Sequence, residues 1–207
     1  MQAIYVDVDS LRPDFLQPYG YEAPSSPGLA AFAEDAICFD RAYAANSPCM
    51  ASRAGFLSGR YGVNNGVVTH GSGGQRLRSP KNWNGLSPTA VDGNPISLDG
   101  VVLEADVRFN QAGDESYSSG RKWYTLPETL FHSDVETVAI SSFPRHPAPW
   151  FYTLWDQFRH PREPTGSDEG YHTVRAETVI DHALEYLENA APEDDFFLYI
   201  QLWDPHG

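Results

Sequence analysis

Positive charge is scarce in this chain. Its 207 residues include 28 acidic side chains and only 14 lysines and arginines, which gives a formal net charge of −14 at pH 7. Only Lys81 and Lys122 are lysines. A strongly acidic surface repels nucleic acid phosphates and anionic lipids, so neither a nucleic acid nor a membrane is expected as a partner. An anionic substrate would have to be attracted by a local cluster of cations.

Long apolar runs are also missing. No stretch of roughly 20 apolar residues occurs, which argues against a membrane-spanning helix. A strand-like segment begins almost at Met1, without the basic start and apolar run of a secretory signal, so the sequence predicts a cytoplasmic protein. Cysteine is rare as well. Only Cys38 and Cys49 are present, and in a cytoplasmic chain we do not expect them to form a disulfide.

Apolar segments of strand and helix type alternate along the chain, which predicts an α/β fold in one domain. The predicted strands are Gln2–Val8, Ile37–Tyr43, Val135–Ile140 and Phe196–Leu202, with an edge strand within Gly100–Val107. The predicted helices are Pro27–Asp35, Ala51–Leu57, a helix that starts at Thr125, and a long amphipathic helix from about Gly170 to Ala190. Residues 71–122 are rich in glycine and polar side chains and are predicted to be an irregular insertion.

Three stretches of sequence resemble the sulfatases. Residues 49–53 read Cys-Met-Ala-Ser-Arg, similar to the signature C-x-[P/A]-x-R, in which the cysteine is oxidised to formylglycine. The Asp-Ser-Leu-Arg run that starts at Asp9 resembles the family's opening motif, and Asp-Pro-His at 204–206 resembles a later one. The resemblance implies an alkaline phosphatase-like fold. This is a three-layer α/β/α sandwich with a mostly parallel central sheet, of which residues 1–207 would be the N-terminal portion.

The resemblance also implies a set of catalytic residues. Formylglycine derived from Cys49 would be the nucleophile that attacks a sulfate ester, and Arg53 lies about one helical turn further on. His206 matches the histidine that approaches the leaving oxygen. In the middle of the chain, Arg145 and His146 stand where the family has a lysine and histidine motif, so His146 is a further catalytic candidate. Asp7 and Asp14 are expected to be solvated or structural.

A divalent metal is implied as cofactor. Asp9, Ser10 and Cys49 are its candidate ligands in this chain, and Ca²⁺ is expected before Mg²⁺ or Mn²⁺ because hard cations prefer oxygen. Many sulfatases have a second aspartate where this chain has Ser10. That departure removes a negative charge and favours an alternative function, hydrolysis of phosphonate monoesters or phosphodiesters by the same nucleophile.

Two further expectations concern partners. A formylglycine-generating maturation enzyme would have to modify Cys49 before the protein acts. Family members also carry additional metal ligands in a C-terminal half, which implies either that remaining half or a homo-oligomer as a partner. A third hypothesis is that the 207 residues form a catalytically incomplete fragment that only binds an anion or a partner chain.

Overall fold

The computed structural model describes residues 1–65, 67–69, 125–141, 155–161, 174–190 and 193–204, and the backbone of three short strands between residues 89 and 104. The described strands are β1 (Gln2–Val8), β2 (Thr89–Val91), β3 (Asn94–Pro95), β4 (Val102–Glu104), β5 (Glu136–Ser141), β6 (Gln157–Arg159) and β7 (Phe196–Leu202). The helices are α1 (Pro27–Ala33), α2 (Cys49–Ser58), α3 (Gly62–Asn65), α4 (Leu126–Phe131) and α5 (Ala176–Asn189). Two single-turn 3₁₀ helices, Pro13–Phe15 and Gln17–Tyr19, follow β1.

Five of these strands form the central sheet, in the order β1-β7-β5-β6-β4. The first four run parallel, and β4 pairs antiparallel with β6 at the end of the sheet. The mostly parallel sheet predicted from the sequence is therefore confirmed, and an edge strand does lie within Gly100–Val107. Strands β2 and β3 form a separate antiparallel pair. The rest of the predicted insertion at 71–122 lies outside the described residues.

Successive side chains of the central strands enter opposite layers, because a strand has a period of two. Phe197 and Tyr199 of β7 join a core with Met50 and Leu57 of α2 and with Trp155. The alternate β7 residues join a second core with Val179 and the rest of the inner face of α5. The sheet is thus covered by α2 and α4 on one face and by α5 on the other, which confirms the three-layer α/β/α sandwich.

Helix termini follow from local sequence. Thr125 caps α4 in a capping box, because its hydroxyl accepts from the Glu128 N–H while the Glu128 carboxylate accepts from the Thr125 N–H at 2.7 Å. Helix α2 ends at Gly59, whose left-handed backbone (φ 61°) lets its N–H return to the Gly55 carbonyl. Among the described residues, no helix is long and apolar enough to cross a bilayer.

The strand predicted at Ile37–Tyr43 is wrong. The segment has no regular structure, and Ile37 and Tyr43 are 84% and 87% exposed. Its apolar side chains suit a strand, but none of the described strands pairs with it, and strand propensity without a partner does not make a strand. Cys38, which lies within this segment, is an exposed free thiol.

Candidate active site

Two carboxylates of β1 point into the α2 layer. Asp7 and Asp9 are two residues apart, so they lie on the same face at the carboxyl end of the strand. Open α/β sheets place their ligand sites at this end. The Asp9 N–H donates to the Leu202 carbonyl at 2.9 Å, which continues the pairing of β1 with β7. The carboxylate of Asp9 is therefore held at a fixed position, and its side chain is only 1% exposed.

Cys49 is the first residue of α2, directly after Pro48, whose extended backbone starts the helix. An open cleft of about 330 Å³ lies between this helix start and the end of β1. Its lining residues are Asp7, Val8, Asp9, Ser10, Ala44, Asn46, Ser47, Pro48, Cys49, Ser52 and Arg53. The structure thus brings four of the predicted site residues, Asp9, Ser10, Cys49 and Arg53, to one cavity.

Arg53 connects the two carboxylates. Its Nε donates to Asp7 Oδ2 at 2.6 Å, and its Nη2 donates to Asp9 Oδ2 at 2.8 Å. Burial by itself lowers the pKa of Arg53, but the electrostatic interactions with Tyr199 and Asp7 and the hydrogen bond to Asp7 outweigh burial and raise that pKa above its ordinary value. The guanidinium remains charged, and it neutralises one of the two carboxylates beside the cleft.

Cys49 is half-buried, and its thiol is a poor nucleophile in this environment. Burial is the main cause that raises the pKa of the Cys49 thiol, and the negative charge of Asp9 raises it further. Reactive cysteines need the opposite environment, because the thiolate is the attacking species. The thiol of Cys49 is therefore not activated as a nucleophile near neutral pH.

Ser10 has an unusual backbone. Its φ of 57° lies in the left-handed region, a backbone conformation that residues other than glycine seldom adopt. The turn places its hydroxyl where it donates to Asp9 Oδ1 at 2.8 Å. Backbone strain of this kind is often found at functional sites. Ser10 thus holds one oxygen of the buried carboxylate, while Arg53 holds the other.

Asp7 has a larger role than the sequence suggested. It was expected to be solvated or structural, and its side chain is 21% exposed and paired with Arg53. The Tyr199 hydroxyl also donates to Asp7 Oδ2, at 2.5 Å. Asp14 lies outside this network and pairs with the exposed Arg12. The one available signal for Tyr199 was a hydroxyl in the middle of a mostly apolar strand.

Asn46 is a second residue that the sequence did not indicate. Its Oδ1 accepts from the Gly62 N–H at 2.7 Å, and its side chain crosses Gly55 so closely that an added Cβ there would lie 2.5 Å from Nδ2. A Cβ on Gly62 would lie 2.7 Å from the Val67 carbonyl oxygen. The two glycines therefore let the loop before Cys49 pack against α2 and α3.

Two predicted catalytic residues, His146 and His206, lie outside the described residues, as does Arg145. The residue that begins the Asp-Pro-His motif is described. Asp204 Oδ1 accepts from the Ala176 N–H at 2.9 Å, at the start of α5. A carboxylate at a helix start is favoured by the helix dipole and the unpaired N–H groups. Asp204, two residues before His206, is thus hydrogen-bonded to the start of α5.

The metal expectation can be compared with the donors present. Asp9 and Ser10 offer carboxylate and hydroxyl oxygens, which suit a hard cation. Within the described ranges, however, no group of three or more His, Cys, Asp or Glu side chains is arranged to hold a metal ion. The described residues alone therefore do not make up a ligand set for a metal ion.

The Tyr199 hydroxyl leads to a prediction on alkaline stability. Burial first, and then the charge of Asp7, raise the pKa of Tyr199 well above its ordinary value near 10. The folded state therefore keeps a proton that the unfolded state loses. That stabilisation is complete below pH 10 and is lost as the pH rises toward the folded-state pKa. The free energy of unfolding should fall by about 1.4 kcal/mol per pH unit for this group above about pH 10.

Urea unfolding at a series of pH values from 8 to 11.5 measures this slope. In Tyr199→Phe the pH slope of the free energy of unfolding should decrease by about 1.4 kcal/mol per pH unit. Tyr43→Phe, at an 87% exposed position, should leave the slope unchanged. An equal slope in Tyr199→Phe and the parent chain would contradict the assignment.

Comparisons with known proteins agree with this geometry. Residues 2–83, which include β1, α2 and the cleft between them, match the family model described as Sulfatase. A search of curated proteins found no match. Among solved structures, BT4656 in complex with its substrate D-glucosamine-2-N,6-O-disulfate aligns with a TM-score of 0.58 and 18% identity, over 99% of this chain and 34% of that one.

Two further structures give the same result. A putative sulfatase from Bacteroides thetaiotaomicron VPI-5482 aligns with a TM-score of 0.58 and 16% identity, over 99% of this chain and 35% of that one. Ps i-CgsB in complex with k-i-k-neocarrahexaose aligns with a TM-score of 0.55 and 15% identity, over 99% and 45%. This chain thus spans between 34% and 45% of the length of these three solved chains. The family match over residues 2–83 confirms the sulfatase resemblance seen in the motifs, and the likeness to the solved structures shows the fold alone.

Proposed function

We propose that this protein hydrolyses a sulfate ester through a formylglycine nucleophile formed from Cys49. The observation that carries the proposal is the shared cleft, in which Cys49 at the start of α2 faces Asp9 at the end of β1 while Arg53 contacts Asp9. The match of residues 2–83 to the sulfatase family supports the same reaction class. The raised pKa of the Cys49 thiol argues against the alternative in which the unmodified cysteine attacks.

The reaction proceeds in two steps. The hydrated aldehyde at position 49 would carry two hydroxyl groups, one of which would attack the sulfur. A new S–O bond would form while the ester S–O bond breaks, and the alcohol would leave with a proton that balances the one lost by the attacking hydroxyl. The second hydroxyl then loses its proton, the C–O bond to the sulfate breaks, and the aldehyde returns. No water attacks the sulfated intermediate. A maturation enzyme that converts the cysteine is therefore a proposed partner.

The chain's own residues stabilise the charge that moves in these steps. The start of α2 directs backbone N–H groups and the positive end of a helix dipole toward an anion beside position 49. Arg53 lies one turn further on and is fixed by two carboxylates, so its positive charge needs no reorientation when the nucleophile loses a proton. We also propose His146 and His206 as proton donors for the leaving alcohol, on the sequence motifs alone.

Charge balance supports a divalent cation as cofactor. The charged side chains that line the cleft are Asp7, Asp9 and Arg53, two carboxylates and one guanidinium, which give a net charge of −1. Such a cleft repels the anionic sulfate group unless further positive charge enters it. Asp9 and the Ser10 hydroxyl would hold Ca²⁺, or in its place Mg²⁺ or Mn²⁺, with other ligands from residues beyond those described. The cation would polarise the ester oxygens.

The proposed substrate is a sulfated small molecule or carbohydrate. BT4656 was solved with a sulfated glucosamine as its substrate, and its fold is shared along nearly the whole of this chain. The cleft between β1 and α2 is open to solvent, so the group that carries the sulfate would extend beyond the residues that line it.

Mass spectrometry of the tryptic peptide 42–53 from the native host tests the nucleophile. Conversion removes sulfur and two hydrogens from Cys49 and adds one oxygen, and a hydrazide reagent should label the resulting aldehyde. Peptide 1–41, which carries Cys38, is the internal control and should keep its thiol. Turnover of an aryl sulfate that rises in proportion to the converted fraction supports the proposal. An unconverted peptide in an enzyme that is nevertheless active would overturn it.

A second candidate is hydrolysis of a phosphonate monoester or phosphodiester by the same nucleophile. Ser10 favours it, because the hydroxyl contributes no charge where many sulfatases have a second aspartate. A cation held by fewer carboxylates keeps more of its positive charge for a phosphonate or phosphate group. Parallel kinetics on an aryl sulfate and an aryl phosphonate decide between the two, and a clear preference for the phosphonate would make this second candidate the first.

A further inference from the structure

Asp7 and Tyr199 hold Arg53 on its Nε side. Its Nε donates to Asp7 Oδ2 at 2.6 Å, and the same oxygen accepts the Tyr199 hydroxyl at 2.5 Å. Two donors thus converge on one oxygen. The carboxylate of Asp7 cannot rotate away from Arg53 without also breaking its bond to Tyr199.

Tyr199 is itself immobile. It is fully buried in β7, and its ring packs on Tyr5 with centroids 5.6 Å apart and on Trp155 with centroids 5.1 Å apart. A ring enclosed on both sides keeps its hydroxyl in one place, because a close-packed core allows little movement. The position of the hydroxyl is therefore set by the sheet and not by the loops around the cleft.

We infer that Asp7 and Tyr199 are positioning residues for the reaction, which fix the Arg53 guanidinium against Asp9 and beside the nucleophile at position 49. The inference rests on the proposed function for its catalytic part. Arg53 is 5% exposed and lies at the junction of β1 and α2, and Asp9 holds only its outer nitrogen. A guanidinium tied at one nitrogen can pivot, whereas one tied at both Nε and Nη2 keeps its plane, which is what preorganised charge stabilisation requires.

The test uses the full chain with formylglycine at position 49 and three substitutions, Tyr199→Phe, Arg53→Lys and Tyr5→Phe. Tyr199→Phe should lower kcat about tenfold and leave KM within about twofold, because the lost bond acts on the transition state and not on ground-state binding. In an Arg53→Lys background, which has no Nε–H fork, the same change should cost less than about twofold. Tyr5→Phe is the matched control. It removes a hydroxyl from the stacked neighbour of Tyr199 and should leave kcat within about twofold.

A second measurement does not depend on turnover. The Arg53 Nε–H resonance is identified by its loss in Arg53→Lys, and its exchange with solvent is followed by NMR. Exchange should be slow in the parent chain and in Tyr5→Phe, and about tenfold faster in Tyr199→Phe. Equal exchange in all three, or an undiminished effect of Tyr199→Phe in the Arg53→Lys background, would overturn the inference. If the parent chain hydrolyses no ester, the proposed function fails, and the exchange rates alone then decide whether Tyr199 fixes Arg53.

Discussion

Replacing Cys49 by alanine is expected to lower kcat for sulfate ester hydrolysis by about 10⁴-fold or more, because removal of a covalent nucleophile leaves only binding and charge stabilisation. The helix start, Arg53 and Asp9 would remain, so some binding of the anionic product should persist. Stability should change little, since the side chain is half-buried and alanine favours helices. The measurements are steady-state kinetics on an aryl sulfate and a urea unfolding curve.

Cys38→Ala is the matched control, because Cys38 and Cys49 are the only cysteines in the chain and Cys38 is exposed. It should keep full activity and a complete aldehyde at position 49. If Cys49→Ala kept more than a tenth of the parent activity, the nucleophile would have to be another group, and the proposed mechanism would be wrong.

Replacing Arg53 by methionine should destabilise the fold by about 3–5 kcal/mol, the usual cost of removing one partner from a buried ion pair. The Arg53 side chain is 6% exposed, and Asp9 at 1% exposure would keep a negative charge with no guanidinium beside it. Asp7 would keep its hydrogen bond from Tyr199 and, at 21% exposure, some hydration, so it should suffer less. The free energy of unfolding in urea at pH 7 measures the loss.

Two causes of the lower stability can be separated: the negative charges left without a guanidinium, and the lost packing of the arginine side chain. Methionine keeps most of the volume of the arginine stem, so a triple variant that also carries Asp7→Asn and Asp9→Asn removes the stranded charges and should recover part of the stability. The double change Asp7→Asn and Asp9→Asn in the parent background completes the cycle. A triple variant no more stable than Arg53→Met would show that the charges are not the cause.

The sequence predicted the strands and the helix around the cleft better than the segment Ile37–Tyr43. Strands β1 and β7 have the bounds that their mostly apolar runs indicated. Strand β7 lies between two parallel strands and is buried, which a mostly apolar segment suits, whereas β1 lies at an end of the described sheet and is largely exposed. Helix α2 begins two residues earlier than predicted, at Cys49, since Pro48 can precede a helix but cannot continue one. The strand expected at Ile37–Tyr43 fails because pairing is a tertiary property that a single segment does not record.

For the site, motifs identified Asp9, Ser10, Cys49 and Arg53, which the fold brings together. The contacts of Asp7 could not be predicted in the same way. A carboxylate two residues before Asp9 lies on the same face, but whether that face meets Arg53 and Tyr199 depends on how β1 pairs with β7 and where α2 packs. Those arrangements are fixed by contacts between distant parts of the chain, and no local pattern specifies them.

The pairing of the first strand with the last described one also sets when the catalytic centre can form. Asp7 and Tyr199 are 192 positions apart, and a shift of one residue between their strands would turn both carboxylates toward α5. Strand β7 is therefore synthesised long after residues 2–8, since Tyr199 follows Asp7 by 192 positions. Until β7 is available, β1 lacks the neighbouring strand that fixes Asp7 and Asp9 opposite position 49, so this site assembles later than the local helices.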